Sequence, residues 1–299
     1  METTPTAETV TAPQAHKTPL INFRAIFRVA SATFFEARRR RFLNVILIFA
    51  LVLIGLSHMF ATLSPNSQLS MLLDVGLGSI RLCGMLIAVF LGARLIADEV
   101  DKRTVDVILA KPVRRSEFII GKFLGGWITV FVNVLLMGAA FMIVYYIKAP
   151  QLAKAAISTG QMMSLAETSA NCYKAILLLM FEMMILSSIA IAVSTVSSWI
   201  FSAVFSLTVY FAGQLGSHFQ HIAEYKDPQI TEVVTPAVRV FAWVMYRVIP
   251  HFENFDIREK MLTHEVVYSQ MIGMSVLHAC LYSFVMVALA CVFFSYREF

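Results

Sequence analysis

Charged side chains are rare in this sequence, and the few that interrupt its apolar runs are its candidates for chemistry. Arg81 and Glu182 each sit inside such a run, where an ionised group is costly unless it faces protein or water and finds a partner. Arg81 lies about ten residues from one end of its run and Glu182 about nine from the end of another, which at ~1.5 Å per residue puts both near ~14 Å depth. That placement predicts an ion pair between them, acting either as structural glue or as the lining of a substrate path. Asp74 and Arg94 fall nearer run ends and can reach headgroups. Asn133 and Gln214 read as hydrogen bonds between helices. His218 and His221 have a spacing that can hold a metal on a helix, and His58 and His278 sit where haem ligands occur, but no Cys or carboxylate cluster supports either site. Gly121-Lys122-Phe123 lacks the glycine loop that precedes the lysine of a phosphate-binding motif. The sequence therefore predicts no catalytic residue, no nucleotide site, no cofactor and no metal in this chain.

A second set of charges is concentrated in the stretch 98–122. Read as a helix, it places Val100, Thr104, Val107 and Ile108 on one face and Asp98, Asp101, Lys102 and Asp106 on others. Glu99 and Arg103 are spaced for an i, i+4 pair, and Pro112 stops the helix. A short, stiff, two-faced element between two apolar runs is suited to receive motion from a soluble partner. The plain alternative is a charged loop that follows the bias of basic residues toward the cytoplasmic side.

The elements that must hold these residues are membrane helices. Of 299 residues, 58% are hydrophobic and 14% charged, and the mean hydropathy is +0.73, a balance a water-soluble domain with a polar surface can hardly reach. The formal charge of +5 comes from Lys and Arg clustered beside apolar runs, which points to anionic headgroups rather than nucleic acid. Residues 1–19 read as a disordered leader without a secretory signal. Phe23, Ile26, Phe27, Ala30 and Phe34 share one helical face while Arg24, Arg28, Ser31 and Arg38 share another, so 20–41 is expected to be a surface helix. Apolar runs at about 42–63, 71–97, 123–147, 173–196, 199–216 and 271–294 predict six spans. The tight junction Ser197-Ser198 separates the fourth and fifth. A short outer helix is expected within 148–171, and 217–270 is expected to be extracytoplasmic. Within it, 233–248 reads as an amphipathic helix that enters the outer leaflet without crossing. Basic blocks at Arg38-Arg39-Arg40-Arg41 and in 98–122 put both termini in the cytoplasm. Cys83, Cys280 and Cys291 lie in apolar runs and Cys172 near an outer surface, so no disulfide framework is expected.

The stretch between the second and third spans resembles that of ATP-binding-cassette (ABC) transporter permeases of the second export class. The matching residues are Glu99, Arg103, Ile108, Leu109, Pro112, Val113, Arg115, Gly121 and Lys122. A departure is that those proteins often have Gly before Thr, where this chain has Arg103-Thr104. The resemblance extends to the whole plan: an amphipathic N-terminal helix, six spans, a short turn between spans four and five, and a Pro-aromatic-acidic stretch, here Ile249–Asp256, before the last span. It implies an all-α integral membrane protein of the cell (inner) membrane whose Glu99, Arg103, Ile108, Leu109, Pro112, Arg115 and Lys122 couple it to a separate ATPase subunit. It also implies pairing with a second permease copy or paralogue, with ATP and Mg bound in the partner. The rival readings are a membrane subunit of a respiratory, haem or metal-handling complex, and a self-sufficient secondary transporter. Neither an inverted repeat nor a ligand cluster in the sequence supports them.

Overall fold

The computed structural model describes residues 22–63, 68–101, 114–158, 165–216, 218–220, 236–262 and 267–296. Among these residues the regular structure is helical: α1 (Phe23–Arg38), α2 (Arg41–Leu63), α3 (Gln68–Asp101), α4 (Arg115–Ser158), α5 (Leu165–Ser194), α6 (Trp199–Gly213), α7 (Pro236–Val248), a 3₁₀ turn (Phe252–Phe255), α8 (Arg258–Leu262) and α9 (Ser269–Tyr296). A chain this apolar has to satisfy its backbone polar groups within each segment, which a helix does. α2, α3, α4, α5 and α9 are long and apolar enough to cross a membrane. α6, with 15 residues, reaches only ~22 Å against a hydrocarbon core of ~30 Å.

α3 and α5 form the centre of the bundle. Their most apolar windows are 78% and 83% buried, whereas those of α2 and α9 are 22% buried. The two central helices approach closely through small residues: a Cβ on Gly92 would lie 2.8 Å from Ala190 Cβ and 3.1 Å from the Ser187 carbonyl oxygen. On the periphery, α2 turns Val45, Ile48 and Phe49 outward, and α9 turns Met274, Leu281 and Phe284 outward. An outward apolar surface of that kind suits lipid rather than water.

Contacts between helix ends fix the alternation of direction. Arg40, between α1 and α2, is bound to Asp98 at the end of α3. Arg115, opening α4, donates to the Ser295 carbonyl at the end of α9 at 3.0 Å, and Phe118 stacks on Phe294 nearby. Arg94 lies 4.3 Å over the ring of Trp199, which opens α6. All these ends share one face of the bundle, here called the base; the opposite face, with the turn Phe252–Phe255, is the crown.

Several boundaries differ from the sequence reading. α3 continues past Ala97 to Asp101, so Asp98–Asp101 extend the second span helix; the rest of the helix expected from Asp98 to Leu109 lies outside the described residues. α4 runs through Pro150 to Ser158, which replaces the expected short outer helix with a continuation of the span helix. Proline removes one hydrogen bond and bends a helix, but Gln151, Leu152, Ala153, Lys154, Ala155 and Ala156 are strong helix formers that carry the helix on. α6 stops at Gly213 rather than Gly216, where the Pro250 carbonyl and Phe252 ring press so close that a Cβ would lie 2.5 Å from each. The junction before α6 is as tight as expected. Ser194 and Thr195 hydroxyls donate back to the Ile191 and Ala192 carbonyls at 2.8 and 2.7 Å at the buried end of α5, and Ser202 Oγ ties α6 to the Ala190 carbonyl at 2.7 Å.

Candidate functional site

Two charged networks, one at the helix ends of the base and one within the crown half of the bundle, gather the polar residues of the sequence. At the base, α1 crosses the first turns of α4 over two glycines. A Cβ on Gly121 would lie 2.7 Å from Val29 Cβ and 3.0 Å from the Ile26 carbonyl oxygen, and one on Gly125 would run into the Ala30 carbonyl. This small-xxx-small spacing lets the two backbones approach. Glu117, in the first turn of α4, is buried; it accepts the Asn22 N–H at 2.7 Å and the Arg114 N–H at 3.2 Å. The second bond is half of a capping box on α4, and the first pins the start of α1 to it.

Lys122 then joins three helices. Its side chain, only 5% exposed, pairs with Glu99 of α3 and lies 3.6 Å from Glu36 of α1. Arg40 bridges Glu36 and Asp98 at 2.8 Å each. The Glu36 carboxyl is held below its ordinary value, because burial, which alone would raise it, is overcome by the Lys122 charge and the Arg40 hydrogen bond. A buried ammonium without its carboxylate costs about 3–5 kcal/mol, so this relay locks the ends of α3 and α4 to each other and to α1.

Of the residues expected to meet a partner, Glu99, Arg115 and Lys122 are placed here, with Arg115 reaching the end of α9. Arg103, Ile108, Leu109 and Pro112 lie outside the described residues. Asp98 and Glu117 lie within the charged stretch 98–122, whereas Glu36 and Arg40 lie outside it and no sequence expectation pairs them with it. The i, i+4 spacing of Glu36 and Arg40 was the available signal.

At the crown, Arg81 Nη2 lies 2.8 Å and Nε 3.1 Å from Glu182 Oε1. Arg81 also pairs with Asp256 and donates to the Phe252 carbonyl at 3.3 Å. Gln214 Nε2 donates to the same Glu182 oxygen at 3.2 Å, linking α5 to the end of α6. Glu182 is fully buried, and its Oε2 has no hydrogen-bond partner among the described residues. Arg258 clasps Asp256 through its backbone N–H at 3.1 Å and its Nε at 2.9 Å; Asp74 lies 4.0 Å from Arg258. The Asp256 carboxyl is pushed below its ordinary value: burial opposes this, and the Arg258 hydrogen bonds and Arg81 charge prevail. An open cleft of about 400 Å³ lined by Asp74, Gln214, Glu253, Asp256, Arg258 and Glu259 lies above the network.

The other polar candidates fall elsewhere. Asn133 donates to the Thr129 carbonyl of its own helix at 2.8 Å, a correction to the expected interhelical bond, as a short amide reaches its i−4 carbonyl more readily than a neighbour. Cys172, near the start of α5, is buried, and Cys280 is exposed on α9. His251 and His278 rings are 6.3 Å apart; His221 is outside the described residues. Among the described residues there is no group of three or more His, Cys, Asp or Glu placed to hold a metal ion.

Residues 60–299 match the family model described as "ABC-2 family transporter protein". That range contains the whole crown network and, at the base, Asp98, Glu99, Glu117 and Lys122. No curated protein matches the chain.

Proposed function

The chain belongs to the ABC-2 family of transporter proteins, and from that premise we propose that it is a six-span permease subunit that forms a substrate path and is moved by a separate ATPase subunit. α6 is the short fifth span in this reading, α9 is the sixth, and the base faces the cytoplasm. The chain contributes no hydrolysis; ATP and Mg bind in the partner. The segment between α3 and α4 receives the motor, with Arg103, Ile108, Leu109 and Pro112 in the contact and Glu99, Arg115 and Lys122 behind it. A second permease copy or paralogue completes the path.

The observation that carries this reading is the buried Lys122–Glu99 pair. It joins α3 and α4 at the two points where the chain enters and leaves the segment, so displacement of the segment moves both helices together. The Arg40 bridge to Asp98 extends the motion to α1. Coupling through a rigid joint of this kind predicts that Glu99→Lys abolishes stimulation of the partner ATPase while the protein still inserts in the membrane, and that Glu99→Lys combined with Lys122→Glu restores part of it. Arg103→Glu is expected to behave like the single Glu99 variant. ATP hydrolysis in proteoliposomes containing both subunits reads all three. Full stimulation in both single variants removes the segment from the mechanism.

A further inference from the structure

We propose that α1 is a binding surface for anionic phospholipid headgroups and selects them over neutral lipid. This rests on the reading that the base faces the cytoplasm and its membrane leaflet. Ile26, Ala30, Thr33 and Ala37 form the buried face of α1, which packs on α4 over Gly121 and Gly125. The remainder of the helix carries two rows. Phe23, Phe27 and Phe34 recur on one flank of the packed face; Phe23 and Phe27 are 79% and 75% exposed. Arg24, Arg28 and Arg39 cover the opposite face with Phe35 between them, and all four are exposed. Arg38 and Arg41 are exposed beside them.

None of these five guanidinium groups has a hydrogen-bond or ion-pair partner among the described residues. Glu36, the acid of this helix, lies on the other flank and is engaged by Arg40 and Lys122. Among the described residues the surface is thus an uncompensated row of guanidinium groups next to an aromatic row. Guanidinium forks match phosphate oxygens, aromatic rings settle at the headgroup boundary, and an anionic leaflet adds attraction for each charge. A free phosphate would leave the phenylalanines without a use. An acidic protein surface would have to displace the lipid that α2, whose apolar span begins at Arg41, brings to the same level. Because α1 is bonded to α3 and α4 through Glu36, Arg40 and Lys122, lipid held there also bears on Glu99.

The test uses the full chain in nanodiscs of equimolar phosphatidylcholine and phosphatidylglycerol, with native mass spectrometry of the retained lipids and hydrogen exchange over 23–38. The wild-type chain is expected to retain phosphatidylglycerol preferentially. Combined Arg24→Gln, Arg28→Gln and Arg39→Gln lowers the retained glycerol-to-choline lipid ratio at least about fivefold, while the same positions changed to Lys largely keep it. An unchanged ratio in the Gln variant overturns the assignment. So does a wild-type chain without the preference, which would leave an acidic protein as the occupant. If the Gln variant loses protection throughout α3 and α5 and so fails to fold, the wild-type comparison decides: exchange of α1 should be slower with phosphatidylglycerol than in phosphatidylcholine alone, and equal exchange overturns the proposal. None of these measurements needs the ATPase, so their failure is separate from failure of the coupling mechanism.

Discussion

At the scale of single residues, the energetic weight lies on Glu182, which is fully buried and shares Arg81 with Asp256. Replacing Arg81 with Met leaves a buried carboxylate without its cation and is expected to cost about 3–5 kcal/mol. Arg81→Met together with Glu182→Met should cost clearly less than Arg81→Met alone, since both charges leave the interior together. Thermal unfolding in detergent measures both, and a double variant no more stable than the single one removes the pair as the source of the effect. A simple charge swap is a poorer probe, because Glu at position 81 would face Asp256. Asp256 also has a pH signature. Its folded value lies below the ordinary 3.8, so its contribution is fully present above that value and fades as pH falls through the lower folded value. Asp256→Asn should flatten that part of the stability curve, and an unaltered acid limb would mean that Asp256 is not the titrating group.

At the scale of elements, the contact between α1 and α4 depends on the absence of side chains. Gly125→Ala puts a methyl group against the Ala30 carbonyl and 2.7 Å from Thr33 Cβ. Backbone cannot yield there as a flexible side chain would, so the packing should lose about 1–3 kcal/mol, seen as faster hydrogen exchange across α1. Gly55→Ala and Gly273→Ala meet nothing within 4 Å and should instead gain up to about 1 kcal/mol from helix propensity. Equal behaviour of all three glycines would show that the close approach is not what holds α1. The element most dependent on tertiary context is α4. Its apolar period indicates a span, but the helix starts earlier, at Arg115, where Glu117 caps it, and continues beyond Pro150 to Ser158.

At the scale of the whole molecule, a central pair, α3 and α5, is surrounded by helices that show apolar surface outward; one ionic network joins the helix ends at the base and another lies within the crown half. The crown network holds the Phe252–Phe255 turn over α3, α5 and α6; the base network joins α1, α3 and α4. In the permease reading proposed above, one network opens while the other stays closed. Glu99→Lys is therefore expected to uncouple the ATPase, whereas Glu182→Gln should alter transport and crown stability and leave basal ATPase assembly intact, measured by copurification of the partner subunit. The sequence by itself determined that this is a helical membrane protein. The lengths of its apolar runs, the clustering of Arg and Lys at their ends and the burial cost of Arg81 and Glu182 are local properties that any folded arrangement must respect. It also carried the family resemblance in the residues around Pro112. Only the tertiary structure decided that Lys122 faces Glu99 rather than water, that Asp256 and Gln214 join the Arg81–Glu182 pair, and that half of the apolar face of α1 turns into the protein while Phe23 and Phe27 turn out. Those outcomes depend on which helices become neighbours and at what depth, and helical periodicity, which fixes a side chain's angle about its own axis, holds no information about the helix across from it.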